Sequence, residues 1–424
     1  MNVKYAVFVL GIALSCTHAA GAIDKSVTLS LSAEWEDNAN KSSFNRESDL
    51  VTNLGLDVKV GEDFGGYEYG ILYNIEHQRY QDDTFDSSNY LNGTAFLNLN
   101  VIPHRVFWDN SISSAVTLLN AVQPDVPDNR DQRNTIYTAP RFVIMQSTRD
   151  SLTVSANAEK IMFREVNEND NTRLGADVVY SHRLTSLVTS GVSCNAESAS
   201  FDSDGDYENY SCYLNVDRRI NNGNISLAIG KTVIDPDNGQ KIDGLVYDAR
   251  MNWSADNNSL YFTARRNITD TSFGIELEGF DQSFSPIIFN TEQVYLTRRS
   301  RAELGASRSV SSITTVSGNL YWDLDDVEDS PADTIRTGLV LNYSRELPED
   351  CQIRFDYRFE KTEFNGIEEL QTIDFTSIYR LTMNHSFSRN LEGEVYLLAE
   401  NRRADIEIDE YEMYGIGASV QYEF

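Results

Sequence analysis

Four cysteines and five histidines are the residues best suited to redox, metal or nucleophilic chemistry in this chain, and their spacing permits little of it. Cys194 shares an alternating face with Val188 and Val192, and Cys212 with Leu214 and Val216, on consecutive extended segments. Two thiols on one face near the top of a hairpin, in a chain read below as exported to an oxidising compartment, predict a disulfide clamping an acidic loop over residues 195–211. Loop closure would make it worth up to about 3 kcal/mol. Cys351, at a predicted turn, has no partner and no basic neighbour arrangement that marks it as reactive. His104 and His182 fall at predicted turns, while His77 and His385 are in register with outward apolar positions. No strand pairing suggested by their order unites a histidine with the serine or acid that a hydrolase needs, so no enzyme is expected. No paired Cys/His spacing suits zinc, and no cofactor is expected. Asp202, Asp204 and Asp206 resemble the start of a calcium loop, but Tyr207 stands where an EF-hand needs glycine and no glutamate follows at the twelfth position. The acidic clusters read first as a solvated face and second as a divalent-ion bridge to lipopolysaccharide or an anionic polymer.

What must position these residues is a pattern of period two. Val27, Leu29, Leu31, Ala33 and Trp35 alternate with Thr28, Ser30, Ser32 and Glu34, and the same alternation recurs at 67–75, 91–101, 174–180, 245–253 and 353–359. About 20 such segments, with no stretch of helical period, predict an all-β transmembrane antiparallel up-and-down barrel of about 20 strands, within a range of roughly 16–22. Beyond the N-terminus no run of 18 apolar residues exists, which excludes helical spans. The 65 acidic against 35 basic residues, a net charge of −30, exclude a nucleic-acid partner. A packed dry core could not hold Arg354, Asp356, Arg358 and Glu360 at successive inward positions, whereas a wet lumen can. Extending the alternation makes Arg250, Arg299, Arg301, Arg354, Asp356, Arg358, Arg380 and Glu394 pore-lining. Their mixed charge suits either a selective pore or a lumen closed by internal ion pairs. Tyr295 and Tyr396 are inward aromatics suited to stacking on sugar rings.

Lys4, the apolar run 5–14 and Ala20-Gly21-Ala22 read as a secretory signal peptide over residues 1–22, leaving one barrel domain over 23–424. Connections alternate between short turns and longer acidic loops, the asymmetry of an outer-membrane barrel. Seven of the eight prolines fall in connections, and Pro140 predicts a bulge or a shortened strand. The loop 118–135 is the best candidate to fold inward and narrow the pore. The final residues alternate Tyr414, Ile416, Ala418, Val420, Tyr422 and Phe424. This resembles the C-terminal signal of bacterial outer-membrane barrels, which implies recognition of Tyr414, Tyr422 and Phe424 by the barrel assembly machinery and contact with outer-membrane lipids and lipopolysaccharide.

The stretch Pro127-Asp-Asn-Arg130-Asp-Gln-Arg133 through Tyr137, Pro140, Arg141 and Phe142 is similar to a segment of the outer-membrane barrels associated with the PEP-CTERM/exosortase system. The opening Glu34-Trp35-Glu36-Asp37-Asn38 also resembles that family's first strand and Asp-Asn loop. The resemblance implies an exopolysaccharide-linked porin or export conduit, with exopolysaccharide and its export apparatus as partners. A structural or adhesive barrel with a closed lumen, its acidic loops binding polymer or cations, is the alternative.

Overall fold

The computed structural model describes residues 24–119, 123–203, 205–238, 240–270, 296–327, 333–365, 371–405 and 409–424. The signal-peptide reading, Asp204 and Tyr295 lie outside them. The strands are β1 (Asp24–Glu36), β2 (Asp49–Asp63), β3 (Tyr67–Tyr80), β4 (Ser88–Ile102), β5 (Val106–Leu118), β6 (Arg130–Gln146) and β7 (Asp150–Phe163). They continue as β8 (Asn171–Arg183), β9 (Val188–Phe201), β10 (Tyr207–Ile220), β11 (Gly223–Pro236), β12 (Ile242–Ala255) and β13 (Asn258–Asp270). The rest are β14 (Leu296–Ser311), β15 (Thr314–Val327), β16 (Asp333–Leu347), β17 (Cys351–Asn365), β18 (Gln371–Ser386), β19 (Leu391–Ala404) and β20 (Tyr411–Glu423).

Each strand pairs antiparallel with its neighbours in sequence, and β20 closes on β1 with Leu31 opposite Val420 and Trp35 opposite Ile416. Closure leaves no edge, which is what lets a sheet sit in lipid with every ladder bond made. Residues directly opposite share a face, so the period-two pattern propagates around the wall. Leu31, Leu54, Leu214, Leu304, Leu341 and Ile416 are all outward and exposed, forming the apolar belt that places the barrel in the bacterial outer membrane. Two polar side chains inside that belt satisfy each other: Thr138 donates to Asn110 at 2.8 Å and receives the Trp108 indole N–H at 2.7 Å.

Strand lengths explain where the charge goes. A tilted membrane strand needs about 9–11 residues, and these run from 13 to 17. The surplus rises beyond the belt on the long-loop side. Much of what the sequence pattern assigned to acidic loops is therefore strand: β9 continues to Phe201, and Asp323, Asp325 and Asp326 lie in β15. Pro140 does not shorten β6. The ladder to β7 lapses at Ala139 and Pro140, and the register shift falls at Val143/Met145.

Candidate functional site

The lumen is the place where these strands bring chemistry together. By register Arg250, Arg299, Arg301, Arg354, Asp356, Arg358, Arg380 and Glu394 all point inward. Each arginine among them has a carboxylate at hand. Arg301 lies 3.0 Å from Glu303, Arg354 2.9 Å from Asp356, Arg358 2.8 Å from Glu360 and Arg250 2.9 Å from Asp248, in each case two residues along the same inward face. Cross-strand pairs join Arg299 to Asp325 at 3.2 Å, Arg336 to Asp325 at 2.9 Å and Arg380 to Glu394 at 2.8 Å. The acids of β15 that were expected in a loop thus neutralise the wall.

Tyrosines lie flat between these pairs because glycine faces them. Tyr261 is opposite Gly305, Tyr321 opposite Gly338 and Tyr396 opposite Gly417, and a Cβ at any of the three glycines would fall within 2.3 Å of the ring. Each hydroxyl then reaches a carboxylate: Tyr261 donates to Glu303 at 2.6 Å, Tyr396 to Glu34 at 2.6 Å, and Tyr321 to Glu360. The Arg380 guanidinium lies 4.0 Å over the Tyr396 ring.

The predicted inward loop is shorter than expected, since β6 begins at Arg130, but it does cross the lumen. A single 3-10 turn, Pro127–Asn129, shapes it, Leu119 N–H donates to Asn129 O at 2.8 Å, and Asn129 Nδ2 donates to Pro124 O at 3.0 Å. Arg130 anchors it, donating from Nε to Asp125 at 2.6 Å while its guanidinium lies 5.3 Å over Tyr90. Asp125 at the tip faces Arg336, Glu360, Arg402 and Tyr411 of the far wall across a gap of about 110 Å³. Burial alone would raise the Asp125 carboxyl, but Arg130 beside it holds it below the ordinary carboxylate range. Lys41, in the first long loop, meets Glu400 at 2.9 Å; burial opposes its charge, and Glu400 more than offsets that and raises its affinity for the proton.

Among the described residues the lumen holds two further cavities lined by many polar side chains. One of about 710 Å³ runs from Ser259, Thr315 and Ser344 near the short-turn end up to Lys41, Leu118 and Asp125, past Arg354, Asp356, Arg358 and Arg380. The other, about 580 Å³, lies between Ser111, Tyr137 and Asn195 on one side and Arg299, Arg301 and Asp325 on the other. Neither Arg250 nor Glu394 lines them. Above the second cavity Arg173, fully buried, donates to Asp270 at 2.7 Å, to the Tyr207 hydroxyl at 2.9 Å and to Asn171 Oδ1 at 2.9 Å. Ile234, Ile242, Val246 and Phe201 pack beside it as a small dry core.

Several expectations about single residues change. Cys194 and Cys212 are directly opposite on β9 and β10 and are disulfide-bonded, but at mid-strand on the outward face, so they tie a hairpin and not a loop. Asp206 accepts from Phe201 N–H at 2.8 Å and from Ser200 at 3.1 Å, and Asp202 lies 3.7 Å from Lys160, so both are engaged with protein groups. Among the described residues no cluster of three or more metal-binding side chains forms. Cys351 is a free cysteine, as expected, and opens β17 with His385 Nδ1 3.2 Å from its sulfur. His182 lies in β8, not in a turn, and meets Asp150 at 2.7 Å, a His-acid pair that sequence order did not reveal. Tyr414, Tyr422 and Phe424 line the outward face and free end of β20, where Phe424 N–H donates to Val27 O at 2.9 Å.

No protein family and no curated protein sequence matches the chain. Its fold is similar to that of the ferric citrate transporter FecA in the unliganded form, at 9% identity and a TM-score of 0.50, covering 95% of this chain and 79% of that one. The FrpB iron transporter from Neisseria meningitidis aligns at 8% identity and a TM-score of 0.49 over 95% and 81% of the two chains. Pseudomonas aeruginosa OpdK with vanillate aligns at 9% identity and 0.42 over 95% and 99%. The chain has the fold of the large outer-membrane barrels.

Proposed function

We propose that the protein is a passive conduit for hydrophilic, hydroxyl-rich solutes, narrowed by the residues 123–130. The observation that carries this is the paired state of the lumen arginines. A wall whose cations are already neutralised offers hydrogen bonds and flat aromatic rings more than net positive charge, and Ser259, Ser317, Asn319, Asn342, Thr376 and Tyr261 add neutral donors and acceptors along the larger cavity. That chemistry suits a saccharide. Exopolysaccharide and its export apparatus are the finer reading, taken from the family resemblance, and a polymer of that kind requires Asp125 and the residues 123–130 to leave the far wall. Assembly through Tyr414, Tyr422 and Phe424 by the barrel assembly machinery, and contact of the outer wall with lipopolysaccharide, belong to the same proposal.

Purified protein in planar bilayers tests it. Steady conductance that falls on adding a soluble oligosaccharide supports the conduit, whereas a silent barrel sinks it and favours the adhesive alternative with a closed lumen.

A further inference from the structure

A carboxylate, an imidazole and a hydroxyl stand in line across three neighbouring strands on the outer wall. Asp150 opens β7, His182 is directly opposite it on β8, and Ser190 is directly opposite His182 on β9. They share the outward face of Val178, Tyr180 and Val192, all exposed. Asp150 Oδ1 is 2.7 Å from His182 Nδ1 and also accepts the Tyr180 hydroxyl at 2.8 Å. Ser147 Oγ in the turn below accepts the Asp150 amide at 2.8 Å and donates to its carboxylate at 3.4 Å. An imidazole that donates from Nδ1 to a carboxylate carries its lone pair on Nε2, the arrangement of a general base. Ser190 and His182 are opposed but not hydrogen-bonded; side chains so paired have Cβ atoms about 4.5–5.5 Å apart, within reach after a rotation of the serine about χ1.

The surroundings suggest what could approach. Leu184 and Leu187, more than half exposed in the turn after β8, continue the apolar wall to its edge on the short-turn side. Arg149 lies in the turn at that edge, and Arg218 is outward on β10 opposite Val188, diagonal to Ser190. A hydrophobic wall ending in guanidinium groups fits a glycerophospholipid of the inner leaflet, with acyl chains along Val178 and Val192 and the phosphate among the arginines.

We propose that Ser190 and His182, positioned by Asp150, form a membrane-facing esterase site for glycerophospholipids, separate from the lumen and independent of the conduit reading. The Ser190 oxygen attacks the ester carbonyl carbon as its proton passes to His182 Nε2. The carbon–oxygen bond to glycerol breaks, and the departing alkoxide takes that proton, leaving an acyl-serine and a lysophospholipid. Water then repeats the sequence, releasing fatty acid and restoring the hydroxyl.

The test is fatty-acid release from phosphatidylethanolamine in mixed detergent micelles by the full-length barrel, with peptide mass spectrometry after a fluorophosphonate probe. Folded fraction is controlled by the gel-mobility shift that intact barrels show before heating. Wild type should release fatty acid and carry the probe on Ser190, while S190A and H182A lose about 10²-fold or more of the rate. D150N, which leaves Tyr180, Arg149 and Arg218 in place, should retain part of the rate and lose the rest in kcat with KM nearly unchanged, since Asp150 acts through the imidazole and not on the lipid. Release by wild type no faster than by an equally folded S190A, or probe attached elsewhere, overturns the proposal.

Discussion

Arg130 holds three things at once: Asp125 at the tip of the inward segment, the Tyr90 ring, and Gln78 Oε1 at 3.5 Å on β3. A planar fork with a ring face beneath it is not replaceable by lysine. Arg130→Ala and Arg130→Lys should therefore both free the segment, raising single-channel conductance severalfold, with lysine intermediate. The same contact fixes a pH dependence. The Asp125 carboxyl is depressed in the folded state, so its share of the docking energy is fully present above the ordinary carboxylate value and is lost as pH falls through the lowered one. Conductance should hold steady from about pH 8 down to about pH 4 and step upward only in stronger acid, and Asp125→Asn should abolish the step. A step at neutral pH would refute this account of the latch. The flat tyrosines make a second prediction at this scale. Gly338→Val places side-chain atoms where the Tyr321 ring lies, displacing its hydroxyl from Glu360, and should cost roughly 1–3 kcal/mol in thermal unfolding of the folded barrel.

Hairpin ends are held by a recurrent device that uses much of the acidic excess. Asp131 accepts backbone N–H groups of Arg164 at 3.2 Å and Glu165 at 3.0 Å, Asp170 that of Phe163 at 2.7 Å, Asp206 that of Phe201 at 2.8 Å, and Asp333 that of Val327 at 3.1 Å. Asp49 does the same for Asp82 and Thr84, and Asp37 for Tyr414 across the closing seam. Where strands outrun the belt, their last amides have no further ladder partner, and a carboxylate is the side chain that can accept two or three of them. Removing Asp131 leaves part-buried donors unpaired, so Asp131→Ala should destabilise by about 1–3 kcal/mol and raise amide exchange at 164–166, whereas a solvent-exposed acid such as Glu47 should change neither. The disulfide acts on the same hairpins from outside. Reduction of Cys194–Cys212 should lower the unfolding temperature, by up to about 3 kcal/mol of unfolded-chain entropy, and leave exchange of the Phe201 amide unchanged, because Asp206 and not the sulfur bridge holds it. The faces and the strand number were legible in the sequence because period two survives any register. What was not legible is where strands end and who sits opposite whom. Asp323 and Asp325 look like loop acids until β15 is known to reach Val327, and His182 looks like a turn residue until Asp150 is found across the ladder.

Charge is distributed unevenly around the whole barrel. Arginines concentrate on β14 and β16–β18 and are matched there by acids, whereas β1–β3 present Glu34, Glu36, Asp57, Glu68 and Glu76 to the lumen with Lys59 as their single inward cation among the described residues. A wall balanced on one side and acidic on the other sets a transverse field without strong selection by sign, which is the electrostatic condition under which a neutral polar solute passes as readily as an ion. The expected signature is a modest preference for cations in a potassium chloride gradient, seen as a reversal potential of a few millivolts that shrinks as ionic strength rises and the Debye length falls below the width of the lumen. Glu68→Gln together with Asp57→Asn should bring that potential toward zero while leaving conductance nearly unchanged, because their hydrogen-bond partners are Asn98 and Asn74 and not Asp125 or Arg130. Strong anion selectivity would mean that the arginine side dominates in solution, and the pairing of Arg354, Arg358 and Arg380 with their carboxylates would then not describe the open channel.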